Sequence, residues 1–305
     1  MNANNTAVTP ASWDKETLEK NWEDHIESLA SKDKLGLSTT RLRFQAEQGS
    51  SYANARDQWA DMDEEKRVQM WEHLLKTSEE STQEIMPVCV QCGECCLKGS
   101  PTLMVDDLEI LREEKIRWSD LVTLRQGEPA RSPFSGDVFY LTEERIKLRE
   151  KKGTKTCVFF DEETHNCSIH LDRPIQCRAQ ACWDEENARA LLDEEFMTRK
   201  HLLEGVEVLT DLLATHDKRC SFEKLRDAFE QLKQTEGKSV DEVIDVLAFE
   251  DHFRHFVAEK LDIPEDTLDL IFGRSLVERV RLFGFRVEVG EDGARTLLPD
   301  KDQKL

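Results

Sequence analysis

Cys89, Cys92, Cys95 and Cys96 fall within eight consecutive positions, in the run C-V-Q-C-G-E-C-C. Cys157, Cys167, Cys177 and Cys182 form a second, looser group, and Cys220 stands apart from both. Thiolates are soft anionic ligands, and two intervening residues let a chain turn back so that successive sulfurs face one centre. Gly93 lies inside the run, where such a turn calls for a positive φ. The first chemistry this pattern suggests is binding of a thiophilic metal. C-x2-C-x2-C offers three ligands in the manner of a ferredoxin loop whose fourth ligand comes from elsewhere. The radical-SAM order C-x3-C-x2-C is absent, and no C-P ligand follows Cys95 at the ferredoxin distance.

Adjacent side chains tend to diverge, so Cys95 and Cys96 need not hold the same atom. Eight thiolates could close two tetrahedral sites, or one site with spare sulfurs, and the spacing leaves both open. In the second group, Cys157-Val158-Phe159-Phe160 and Cys167-Ser168-Ile169 read as two short strands joined by a polar loop. Asp172-Arg173-Pro174 reads as a helix start, which sets Cys177 and Cys182 on or just after that helix. Arg173 and Arg178 flank Cys177 and are candidate cofactor-binding cations, able to stabilise thiolates or an anionic cluster. Neither group alone offers four well-spaced ligands without using both Cys95 and Cys96. The expectation is therefore one metal-binding region drawing on Cys89, Cys92, Cys95, Cys96, Cys157, Cys167, Cys177 and Cys182.

The motifs C-V-Q-C-G-E-C-C, C-V-F-F-D, N-C-S-I-H and R-P-I-Q-C-R, in this order, resemble the YkgJ-type cysteine-cluster family. That family carries a CxxCxxCC signature and is described as zinc- or iron-chelating. The resemblance covers residues 87–183 and implies Cys89, Cys92, Cys95, Cys96, Cys157, Cys167 and Cys177 as ligands. His170 stands where an aromatic commonly follows the Ile. Ala179-Gln180-Ala181 precedes Cys182 where an aromatic-Pro pair is common, which leaves Cys182 outside the carried-over set. The flagellin lysine N-methylases contain a similar cluster, but this sequence has no glycine-rich cofactor loop, and the match stops short of the flanks.

Zinc sites are often built from paired C-x2-C knuckles, which this spacing is not. Three cysteines in C-x2-C-x2-C suit a four-iron cluster better. An iron–sulfur (4Fe-4S) cofactor serving redox or a modification reaction is thus favoured. The alternative is zinc, in a structural or interaction protein or in one that handles iron or zinc.

These ligands need elements to hold them. Leu18, Trp22, Ile26 and Leu29 follow a helical period, and a second helix is predicted over 56–79 with Trp59, Met62, Val68, Trp71 and Leu75 inward. Further helices are predicted over 105–115, 196–214 and 222–232. Another begins at Ser239, with Glu242 completing a capping box and Val243, Ile244, Leu247, Phe253, Phe256 and Val257 inward. A short helix opens at Pro264, and a terminal hairpin turns at Gly290–Gly293. The fold class is mainly α: helical regions at 1–86 and 184–305 flank a cysteine-rich metal-binding module at 87–183 that contains a short β-hairpin. The extra helices point to a protein partner or substrate of unidentified kind.

His216 and Cys220, at i, i+4, could add a ligand pair, but a polar helix end and a buried thiol is the simpler reading. His252 and His255 beside Asp251 and Glu259 read as surface or packing residues, since one such helix supplies no di-metal set. Lys and Arg total 42 against 63 Asp and Glu, a net charge of −21. That field repels phosphate backbones and acidic membrane surfaces, so neither nucleic acid nor membrane is an expected partner. The N-terminal residues lack a secretory h-region, and clustered thiols suit a reducing cytoplasm.

Overall fold

A computed structural model describes residues 9–32, 37–82, 87–290 and 295–300. The chain is mainly helical, and the strands among the described residues form short two-stranded antiparallel pairs. Two compact units interleave along the sequence. One comprises Met1–Lys98, Phe160–Ser168 and Ala179–Leu192; the other comprises Gly99–Phe159, Ile169–Arg178 and Asp193–Leu305. The cysteine-rich segment contributes to both.

In the first unit, α1 (Lys15–Lys32) buries Leu18, Trp22 and Ile26, the predicted stripe. Helix α2 (Thr39–Glu47) starts at Ser38, whose hydroxyl accepts from the Arg41 backbone N–H at 3.2 Å. The helix predicted over 56–79 is instead α3 (Ser50–Gln58), a 3-10 turn at Trp59–Asp61 and α4 (Glu64–Thr82). The break has a local cause: the Asp63 carboxylate accepts from the Lys66 backbone N–H at 2.9 Å and caps a new helix. The turn places Trp59 fully inside, with its indole N–H donating to the Trp13 carbonyl at 3.1 Å. Trp13, Trp22, Trp59, Leu42 and Leu74 form the core, and Trp183 from the cysteine segment packs on it.

The second unit pairs Leu121–Leu124 with Arg145–Leu148 and Pro129–Arg131 with Val138–Tyr140. The helix predicted over 196–214 is interrupted at Gly205 (φ 83°), giving Arg199–Leu202 and Glu207–Cys220. Phe222–Gln234 is helical, as its spacing suggests. In the long helix Val240–Leu261 the capping box does not form, because the Ser239 hydroxyl bonds the Thr235 hydroxyl at 2.8 Å. Phe256 is exposed, while Glu250 and Arg254 take inward positions. They are paired there: Arg254 donates to Glu250 at 3.2 Å, to Asp269 at 2.7 Å and to the Gly273 carbonyl at 2.6 Å. Glu128, also fully buried, accepts from the Arg125 backbone N–H at 2.9 Å and from the Arg274 guanidinium. Phe285–Val289 pairs with Arg295–Pro299, and residues 291–294 of the predicted turn lie outside the described residues.

Candidate metal centre

The site grows from a tight turn in the first unit. Gln91 (φ 58°) and Gly93 (φ 83°) both take left-handed backbone conformations, and α5 (Glu94–Lys98) starts immediately after. The turn buries Cys92 and leads to Cys95 and Cys96 in the first helical turn. The backbone N–H of Glu94 donates to the Cys92 sulfur. Gly93 is required twice over. Its φ disfavours a side chain, and a Cβ there would lie 2.3 Å from Cζ of Phe160. Phe160 comes from the predicted hairpin, whose strands are shorter than expected: Phe160–Asp161 pairs with Asn166–Cys167, with Phe160 opposite Cys167. The hairpin loop in turn sets His165 against Phe44 of α2, ring centres 4.8 Å apart.

The sulfurs of Cys95 and Cys96 lie 4.0 Å apart despite their adjacency in sequence. The hydrogen bond from Cys96 holds the Cys95 thiol down at about 7, against a burial effect of opposite sign. Burial raises the Cys92 thiol, and the charges of Cys182 and Cys95 raise it further. Burial also raises Cys182, against the lowering effect of Arg41. Within the first unit, then, the charge of Cys182 acts on Cys92 and that of Cys95 acts on Cys182.

Arg41 is the residue that sequence reasoning missed. It is 1% exposed. One guanidinium nitrogen donates to Sγ of Cys182 at 3.1 Å, and another donates to the Val88 carbonyl at 3.2 Å. The Trp183 ring lies 4.5 Å from its central carbon. The available signal was faint. Arg41 and Gln45 sit one helical turn apart on the buried side of α2, but a hydropathy pattern counts both as surface residues.

The other predicted ligands are distributed between the units. Cys167 lies in the first unit, on the hairpin strand opposite Phe160. Cys157 is buried in the second, bridged to Glu150. Cys177 also belongs to the second unit, on the helix Ile175–Ala179, whose Ile175 N–H is capped by Asp107 at 2.9 Å. Arg173 donates to the His170 carbonyl at 2.6 Å, and the charge of Arg178 acts on Asp107. Cys220 and His216 are fully buried in the second unit, where the thiol donates to the His216 carbonyl at 3.0 Å. Burial pushes that thiol up to about 12. His255 bonds the Asp251 carbonyl one turn back.

Among the described residues, no three His, Cys, Asp or Glu side chains are gathered around one point. The donor chemistry nonetheless fits a metal. Two thiolates on one tetrahedral ion, with bonds of about 2.3 Å, stand about 3.8 Å apart. The Cys95–Cys96 separation is close to that value. In a four-iron cluster each cysteine takes a different iron, which sets the sulfurs further apart.

Residues 88–202 match the model of the CxxCxxCC family, "Putative zinc- or iron-chelating domain". Searches of curated proteins and of solved structures give no match. The match supports a metal-binding protein. Among the described residues, no helix is long and apolar enough to cross a membrane.

Proposed function

We propose that the CxxCxxCC domain at residues 88–202 binds a single thiophilic ion, zinc in the first instance, through Cys92, Cys95, Cys96 and Cys182. The 4.0 Å separation of the Cys95 and Cys96 sulfurs carries this reading, because it suits two ligands of one tetrahedral ion. Cys92 and Cys182 join the Cys95–Cys96 pair to make a set of four: the charge of Cys182 acts on Cys92, and that of Cys95 acts on both. Closing that set requires side-chain rotation on binding, as in other sites that assemble around their metal. Of these four, Cys95 and Cys182 are exposed and Cys92 is buried, so the ion is reached from solvent on one side. A structural staple is closed on all sides, and this exposure favours metal handling in a reducing cytoplasm.

The test is anaerobic purification of the full chain followed by zinc, iron and acid-labile sulfide analysis. One zinc per chain without sulfide is expected. Four irons with matching sulfide would overturn the single-ion reading in favour of the cluster that the C-x2-C-x2-C spacing suggests.

A further inference from the structure

We infer that Arg41, which lies outside the matched domain, is a positioning residue of this metal centre. Its guanidinium ties the Val88 carbonyl, at the entry to the cysteine turn, to the Cys182 sulfur. The inference rests on the proposed metal-binding role of Cys182.

Arg41 is carried by α2, so its position is set by the N-terminal helices and not by the cysteine segment. Ser38 caps that helix, and Leu42, the next residue, is fully buried in the tryptophan core. From this anchor the planar fork reaches two places 94 residues apart in sequence, Val88 and Cys182, with donor distances of 3.2 and 3.1 Å. Trp183 stacks on the same guanidinium and itself packs on that core. A lysine offers a point charge and no fork, so it cannot hold both acceptors in this geometry. Burying a guanidinium is costly unless anions and acceptors surround it, and a thiolate-rich centre supplies the charge that a buried cation requires. The positive charge in turn offsets the excess negative charge of several thiolates on one divalent ion. Outer groups that orient metal ligands typically change affinity by about 10–100-fold when removed.

The experiment measures zinc affinity by chelator competition, and the cobalt(II) spectrum of the substituted protein, for the full chain and for Arg41→Met, Arg41→Lys, Cys182→Ser and the double variant Arg41→Met/Cys182→Ser. Arg41→Met is expected to bind about 10–100-fold more weakly, with a weaker sulfur-to-cobalt charge-transfer band. Arg41→Lys should recover only part of the loss. In the Cys182→Ser background, Arg41→Met should cost far less, because the metal-ligating sulfur that it positions is gone. Equal losses in both backgrounds, or wild-type affinity in either Arg41 variant, would overturn the inference. Cys182 is exposed, so Cys182→Ser is expected to fold even if Arg41→Met does not. Undiminished zinc affinity in Cys182→Ser would therefore refute the role by itself. A wild-type chain that takes no zinc would instead defeat the proposed function, a separate result.

Discussion

Replacing Gly93 with alanine tests the construction of the cysteine turn. Two costs are expected. The first is the left-handed backbone: at φ 83° a residue with a Cβ loses about 1–2 kcal/mol relative to glycine. The second is steric. The new Cβ would sit 2.3 Å from Cζ and 2.8 Å from Cε1 of Phe160, and Phe160 is only 2% exposed, so its ring has little room to retreat. Overpacking of this kind costs about 1–3 kcal/mol. The sum, about 2–5 kcal/mol, is a large part of a typical domain's stability.

Urea unfolding followed by tryptophan fluorescence reads the correct unit. Trp13, Trp22, Trp59, Trp71 and Trp183 belong to the first unit, and Trp118 alone to the second. With a slope of about 2 kcal/mol/M, Gly93→Ala should lower the midpoint by roughly 1–2.5 M. The steric part can be separated by repeating the substitution in a Phe160→Ala background. That background itself loses about 3–5 kcal/mol, but Gly93→Ala made within it should cost only the backbone part, about 1–2 kcal/mol. The two substitutions should therefore couple by about 1–3 kcal/mol. If Gly93→Ala costs the same in both backgrounds, the ring does not press on the turn and the argument is refuted. If it costs less than about 0.5 kcal/mol in either, the left-handed conformation is wrong as well.

Other expectations concern thiols and buried charges. In metal-free folded protein, alkylation of Cys95 should rise with pH through an inflection near 7, mapped by mass spectrometry; an inflection near the ordinary 9.0 would contradict the Cys96 hydrogen bond. Because that thiol is depressed on folding, its stabilising contribution is fully present above pH 9 and is lost as pH falls through 7, a difference between wild type and Cys95→Ser that pH-dependent urea melts can read. Cys220 has the opposite sign: its raised value contributes stability below pH 9 that is lost as pH rises toward 12, and the thiol should stay inert to a thiol-specific reagent until the second unit opens. Glu128→Gln leaves the buried Arg125 and the partly buried Arg274 without their shared carboxylate, and should destabilise the second unit by about 3–5 kcal/mol, visible as faster amide exchange in Leu121–Leu124.

Much of this organisation was legible in the sequence, for physical reasons that differ by element. Leu18, Trp22 and Ile26 are apolar at helical spacing, and burial is the direct consequence of that pattern. The hairpin before Cys167 was legible because a polar loop separates apolar runs. The break at Trp59–Asp63 was not, since Trp59 continues the helical period while Asp63 ends it by capping the helix that begins at Glu64. Phe256 was misplaced because Glu250 and Arg254 occupy the buried side of their helix in its place, held by partners distant in sequence such as Asp269, Gly273 and the Leu276 N–H. At the site, Gly93 was identified from the turn it must make, but the Phe160 ring above it could not be. Cys182 was set apart because its flanking residues depart from the family pattern. Its position is secured by a guanidinium 141 residues earlier, and no local spacing encodes that contact.

The cysteine turn is consequently fixed from two sides before any metal arrives. Phe160 packs against Gly93, and Arg41 holds the Val88 carbonyl together with Cys182. Fixing the backbone of one residue costs about 1–2 kcal/mol, so a free loop that had to order several residues on binding would sacrifice much of the affinity its thiolates supply. Here that cost is met when the first unit folds, and it is offset by a tryptophan core rather than by metal–sulfur bonds. On the proposed function, a metal has to draw further sulfurs toward the close pair Cys95 and Cys96. This division gives helices outside the matched domain a part in the proposed site: they hold the cysteine turn in shape through Arg41.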